Sequence, residues 1–184
     1  MNPFLTQVGT FLIEMIFGLY LLALLLRFLF QLVRADFYNP IAQFVVVLTN
    51  PILRPARRLI PGLFGIDIAS VLLLIIIQTL ELYLIGLLHG RALSLPYVVV
   101  AALVELTVLT LYVFVAAIIV RALLSWVAPY GGYQNPATTL LVKLTEPLLR
   151  PVRRWLPATA GIDLSPIVVL AVLWIAIMAV RYFL

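Results

Sequence analysis

The chain reads as an all-α integral membrane protein, with four transmembrane helices and two short interfacial helices in two parallel tandem repeats. Three observations lead there. Of 184 residues, 65% are hydrophobic and 10% charged, whereas a soluble domain carries roughly 45–50% apolar and about 25% charged residues. Four apolar stretches (10–33, 68–88, 97–124 and 165–183) are long enough to cross a bilayer, which takes about 20 residues. One proline- and arginine-punctuated segment occurs twice, as NPILRPARRLIP at 50–61 and EPLLRPVRRWLP at 146–157.

The first stretch follows MNPFLTQVGT, which lacks the basic region of a cleaved signal peptide, so it is expected to remain as a span. Next, PIAQFVVVLTN (40–50) is apolar but reaches only about 16 Å as a helix, too short to cross. Asn39 can cap it and Pro40 suits its first turn. Pro51 disfavours helical geometry at Asn50 and predicts a stop there. NPATTLLVKLTE (135–146) repeats the plan, with Thr139, Lys143 and Glu146 at helical spacing and Leu140, Leu141 and Leu144 mainly opposite. The pattern suits a helix lying in the membrane interface; the alternative is an irregular apolar loop packed on the spans.

In the repeated segment, Pro55 and Pro151 are expected to hold Arg54 and Arg150 out of helical geometry. Arg57 and Arg58, like Arg153 and Arg154, then follow on a short turn ending before Pro61 or Pro157. Gly65 and Gly161 permit a tight turn. Asp67 and Asp163 arrive where the next spans begin, as N-caps or as salt-bridge partners of the arginines. Ser165–Pro166 offers a competing cap one step inward in the second copy.

Residues 39–67 align with 135–163 without a gap, and Arg27 matches Arg121 once two extra residues in APYGGYQ (128–134) are allowed for. The chain therefore divides into repeats 1–94 and 95–184, each a span, an interfacial helix, a basic loop and a span. Two spans per repeat make the repeats parallel, with both basic loops on one side of the membrane. Those loops hold Arg34, Arg54, Arg57, Arg58, Lys143, Arg150, Arg153 and Arg154, eight of the twelve Lys and Arg residues. By the positive-inside rule the loops are cytoplasmic and both termini external.

No cysteine is present, which removes disulfides and thiolate chemistry, and a single histidine, His89, is too few for a protein-built zinc or haem site. The net charge of +5 matches an orienting cytoplasmic excess better than a nucleic-acid surface. No triad, phosphate loop or metal spacing appears, so neither an enzyme nor a cofactor is expected. Arg54, Arg57, Arg58, Arg150, Arg153 and Arg154 are the candidate docking residues. Simple topology control, with lipid phosphates satisfying the charges, is one reading. Gripping a partner's carboxylates or phosphates bidentately is the other.

The pattern NP…TxPxLRPxRRxxP…GID resembles the signature of the YggT family of small membrane proteins, and its two tandem copies cover essentially the whole chain. The resemblance implies a four-span bacterial inner-membrane protein without an assigned catalytic activity. It also implies links to osmotic-stress tolerance and potassium uptake. Single-repeat relatives in plastids and cyanobacteria are linked to cytochrome assembly and nucleoid organisation. Here GIDIAS in the first copy stands against GIDLSP in the second, so the caps are expected to differ.

Five ionisable residues fall inside spans: Glu14, Arg27, Glu81, Glu105 and Arg121. Each costs about 2.5–3.5 kcal/mol at the bilayer centre, so such groups pair, snorkel or line water. The repeat-equivalent Arg27 and Arg121 are expected to snorkel to the interface. Glu81 and Glu105 fall at similar depth in a helical hairpin, with Glu14 nearer the external face. Gln78 shares the Glu81 face and Tyr112 the Glu105 face. The three acids are a candidate proton or cation site, or else a protonated pair that stabilises the bundle; four spans make a thin bundle, so a pore is expected to need a homo-oligomer.

Overall fold

The computed structural model describes residues 3–36, 38–62, 65–127, 135–155 and 163–182. Among these there is no β-strand, and six helices follow in order: α1 (Pro3–Leu32), α2 (Pro40–Leu59), α3 (Ile68–Leu88), α4 (Leu95–Val127), α5 (Pro136–Trp155) and α6 (Ser165–Arg181). Helices α1, α3 and α4 are long and apolar enough to cross a membrane. Helix α6 is apolar but has 17 residues, near the lower end of the usual range for a span. The expected 128–134 insertion, the Gly161 turn and Pro157 lie outside the described residues.

Asn39 caps α2 as the sequence predicts, its Oδ1 accepting from the Ile41 N–H at 3.0 Å. Asn135 does the same for α5 through the Ala137 N–H, also at 3.0 Å. The expected stops before Pro51 and Pro147 do not occur. Both helices run on for 20 residues, through Pro51 and Pro55 in α2 and through Pro147 and Pro151 in α5. Arg54 and Arg150 are accordingly helical, and Arg57 and Arg58 continue the same helix instead of forming a separate turn. A proline inside a helix costs about 3 kcal/mol through its lost hydrogen bond and its clash with the preceding turn. Tertiary packing beyond the proline offsets this, since Leu53 and Leu149 are essentially fully buried.

Helix α2 carries three distinct stripes. Ala42, Val45, Thr49 and Leu53 are buried, while Ile41, Phe44, Leu48 and Ile52 are apolar and exposed. Gln43, Asn50, Arg54 and Arg57 make up a polar third side. Helix α5 buries Leu140, Leu144, Thr145 and Leu149 and exposes Lys143, Arg150 and Arg154.

The chain forms two compact units, Met1–Phe28 with Val45–Thr107, and Leu29–Phe44 with Val108–Leu184. In the first, Leu21, Leu24, Val98 and Ala102 are among the buried side chains of α1 and α4, and Ala69 and Ser70 are fully buried where α3 begins. Gly65 takes φ +81°, the left-handed turn that returns the chain towards α3. In the second unit, α4, α5 and α6 share a core of Val115, Ile118, Leu149, Val169, Leu173 and Ile177. Tyr112 packs there edge-on against Trp174, with ring centroids 6.0 Å apart. The Arg181 guanidinium lies 5.6 Å from the Tyr112 ring centre, so Tyr112 serves packing in this unit.

Candidate functional site

Arg27 does not snorkel. It is buried at 8% exposure, and its Nη1 donates to the Val46 carbonyl at 3.1 Å, to Thr49 Oγ1 at 2.6 Å and to Asn50 Oδ1 at 3.0 Å. These acceptors lie on the turn of α2 just before Pro51. Pro51 supplies no N–H for the Val47 carbonyl there, and Arg27 bonds the carbonyl next to it. Satisfying three acceptors on the neighbouring helix outweighs extending a guanidinium towards water, since a buried donor left unpaired costs about 1–3 kcal/mol. Further along α2, Arg57 grips Asp67 through Nη2 at 2.5 Å and Nε at 3.1 Å. Asp67 also accepts from the Ser70 N–H at 3.4 Å and from the Ser70 hydroxyl, so it is at once the cap of α3 and an ion-pair partner. Burial works against its charge, but the bonds from Arg57 and Ser70 outweigh it and hold the carboxyl below the usual aspartate range.

The second copy builds the same clasp with different charges. Arg121 Nη1 donates to Thr145 Oγ1 at 2.7 Å, and both its terminal nitrogens reach Glu146 Oε2 at 3.2 Å. Arg153 bridges Glu146 at 3.3 Å and Asp163 at 2.8 Å. Here Glu146 stands where the first copy has Asn50, and the result is a chain of two arginines and two carboxylates. The caps differ as the GIDLSP departure suggests. Leu164 occupies the cap position of α6 without a side-chain bond, while Asp163 accepts from the Ser165 N–H at 2.9 Å. Asp163 is also held below the ordinary range: burial opposes its charge, and Ser165 and Arg153 prevail.

The six candidate arginines thus divide. Arg57 and Arg153 are spent on the internal aspartates. Arg54, Arg58, Arg150 and Arg154 are exposed, and each pair is spaced i, i+4 along its helix. Among the described residues no hydrogen bond or ion pair engages these four guanidinium groups.

The intramembrane acids are less tightly assembled. Glu81 is buried on α3 and its Oε2 accepts from Gln78 Nε2 at 2.8 Å, within the predicted i, i+3 face. Glu14 is exposed and Glu105 half-buried, both near enough for their charges to act on Glu81. Among the described residues no three acidic or imidazole groups converge on a metal position. A surface pocket lined by Pro3, Thr6, Gln7, Leu88, His89 and Gly90 includes none of the three acids.

Sequence reasoning missed Thr49, Asn50, Thr145 and Glu146 as the partners of Arg27 and Arg121. The signal was present in the duplication itself. Each copy places a threonine two residues before Pro51 or Pro147, in register with the arginine of the preceding helix.

Comparison with known proteins places this architecture among relatives. The chain is 44% identical over 165 residues to the uncharacterized protein PA0392 of Pseudomonas aeruginosa, covering 89% of this chain and 83% of the relative. It is 39% identical over 172 residues to the uncharacterized protein YggT of Escherichia coli K12, covering 93% and 88%. A Vibrio alginolyticus protein encoded in the proC 3' region is 36% identical over 162 residues, covering 86% and 85%. No solved structure matches. The CCB3/YggT family model matches twice in tandem, at residues 6–88 and 100–184, and the chain belongs to that family.

Proposed function

We propose that this is a non-enzymatic bacterial inner-membrane protein with four spans (α1, α3, α4 and α6), and that α2 and α5 lie in the plane of the cytoplasmic interface. The three stripes of α2 support the in-plane placement: one packs on the protein, one meets hydrocarbon and one meets water and headgroups. In this reading the basic segments face the cytoplasm and both termini face outward. The protein works as a scaffold that docks an acidic membrane partner, or anionic headgroups, through its duplicated arginine helices.

The observation that carries this is the division of labour among the arginines. Each copy uses one arginine for its own aspartate and leaves two exposed at helical spacing. A pure topology signal has no need of that geometry. The test replaces Arg54, Arg58, Arg150 and Arg154 together by lysine in a strain lacking its own copy, under osmotic upshift. Lysine keeps the charge but loses the planar bidentate fork. The variant is expected to insert normally and to complement poorly. Full complementation would reduce these helices to topology anchors.

A second reading, a permeation component or regulator in ion and osmotic homeostasis with potassium as the candidate ion, is favoured by buried Glu81 with its Gln78 partner. A carboxyl kept inside a span is costly and marks an ion or proton route in many membrane proteins. In proteoliposomes, Glu81→Gln would then change potassium or proton flux while the protein stays folded. Absence of flux in the unaltered protein under either gradient would remove this reading.

A further inference from the structure

The two clasps are equivalent in position but not in charge. In the second unit Arg121 and Arg153 face Glu146 and Asp163, two cations against two anions. In the first, Arg27 and Arg57 face Asp67 alone, because Asn50 replaces the glutamate. Arg57 and Ser70 already occupy Asp67. Arg27 is left with three neutral acceptors, all on Nη1. Among the described residues its Nε and Nη2 make no hydrogen bond. Those two nitrogens form one of the guanidinium's bidentate edges, the shape that matches a phosphate or carboxylate fork. The charges of Arg57 and Asp67 both act on Arg27, and two arginines against one aspartate leave this cluster one positive charge in excess. Two turns earlier on the same face of α1, the Tyr20 hydroxyl is buried without a partner among the described residues.

Neutral acceptors satisfy a guanidinium's hydrogen bonds without cancelling its charge, and an uncompensated buried charge is strongly unfavourable. The second unit solves the problem with its own glutamate. We infer that the first unit solves it with a bound anion of the phosphate class, held by the Nε–Nη2 edge of Arg27 and supplying the negative charge that Glu146 supplies from the Nη1–Nη2 edge of Arg121 in the other repeat. Arg27 lies five residues before the end of α1, roughly 7.5 Å along the helix, a depth that a lipid headgroup phosphate or a free phosphate ion can reach.

The duplication supplies the test, because each repeat is the other's control. The purified protein is placed in nanodiscs of phosphatidylcholine alone, of phosphatidylcholine mixed with phosphatidylglycerol, and of phosphatidylcholine with added inorganic phosphate. Bound anion is read by native mass spectrometry and by the shift of the thermal midpoint. Asn50→Glu imports the internal acid and should weaken anion retention at least about tenfold, the equivalent of one lost charge-assisted hydrogen bond, while the fold is kept. Glu146→Asn should create a second anion site in the other unit. Arg27→Gln should abolish the first, and the two substitutions at 50 and 146 decide the matter if that variant fails to fold. Stabilisation by phosphatidylglycerol alone identifies a lipid headgroup, and stabilisation by inorganic phosphate in phosphatidylcholine identifies a free ion. A folded Asn50→Glu protein that keeps its anion at the unaltered level would overturn the proposal, as would an unaltered protein stabilised by neither anion.

Discussion

At the scale of single residues, Asp67 and Asp163 show how one motif position acquires two energetic weights. Asp67 is 6% exposed and Asp163 43% exposed, against arginines of similar exposure at 37% and 35%. Removing one partner of a buried pair costs about 3–5 kcal/mol. Arg57 is over a third exposed, so Asp67→Asn is expected to cost less, about 1–3 kcal/mol. Asp163→Asn should cost under about 1 kcal/mol, in the range of surface pairs. Both carboxyls titrate below their ordinary range when folded. Their stabilisation is therefore complete above about pH 4 and is lost as pH falls through the folded values. Thermal unfolding in detergent between neutral and acidic pH checks this. The Asp67→Asn protein should lose more of the acid-side slope than the Asp163→Asn protein, and equal slopes would contradict the ranking.

At the scale of elements, α2 and α5 continue through prolines that locally favour a stop. Proline's preference acts only on its neighbours, whereas Leu53 and the Thr49–Arg27 bond act through packing against other helices. Pro51→Ala restores a backbone donor for the Val47 carbonyl without disturbing the buried stripe. It should leave the far-UV helical signal unchanged and the thermal midpoint equal or higher. Leu53→Ala leaves a cavity and should destabilise by about 2–5 kcal/mol. A rise in helicity on Pro51→Ala would mean that the proline does end the helix in solution.

At the scale of the whole molecule, the proposed orientation rests on the distribution of Lys and Arg. With the arginine helices cytoplasmic, a single cysteine at Leu59, which is 84% exposed, should resist an impermeant thiol reagent added outside intact cells. A cysteine at Ser94, exposed in the α3–α4 connection, should react at once. Because the chain has no native cysteine, each signal is unambiguous. Reversed labelling would invert the orientation and carry the arginine helices to the external face.

The six helices of the described residues, the approximate limits of the three long apolar ones, the Asn39 and Asn135 caps and the Gly65 turn were legible in the residues alone. Apolar run length, capping chemistry and left-handed glycine geometry are local properties, so they survive into the fold. The family likeness was legible for a related reason: duplicated prolines and arginines leave a fixed spacing. Tertiary structure decided what those local signals could not. It ran α2 and α5 past their prolines, because burial of Leu53 and Leu149 is a long-range energy absent from any window of sequence. It also turned Arg27 and Arg121 inward onto Thr49 and Thr145, because only folding brings residues 22 and 24 positions apart within hydrogen-bonding distance. The exchange of Asn50 for Glu146 is visible in the alignment, yet its meaning is electrostatic and appears only once an arginine stands beside each.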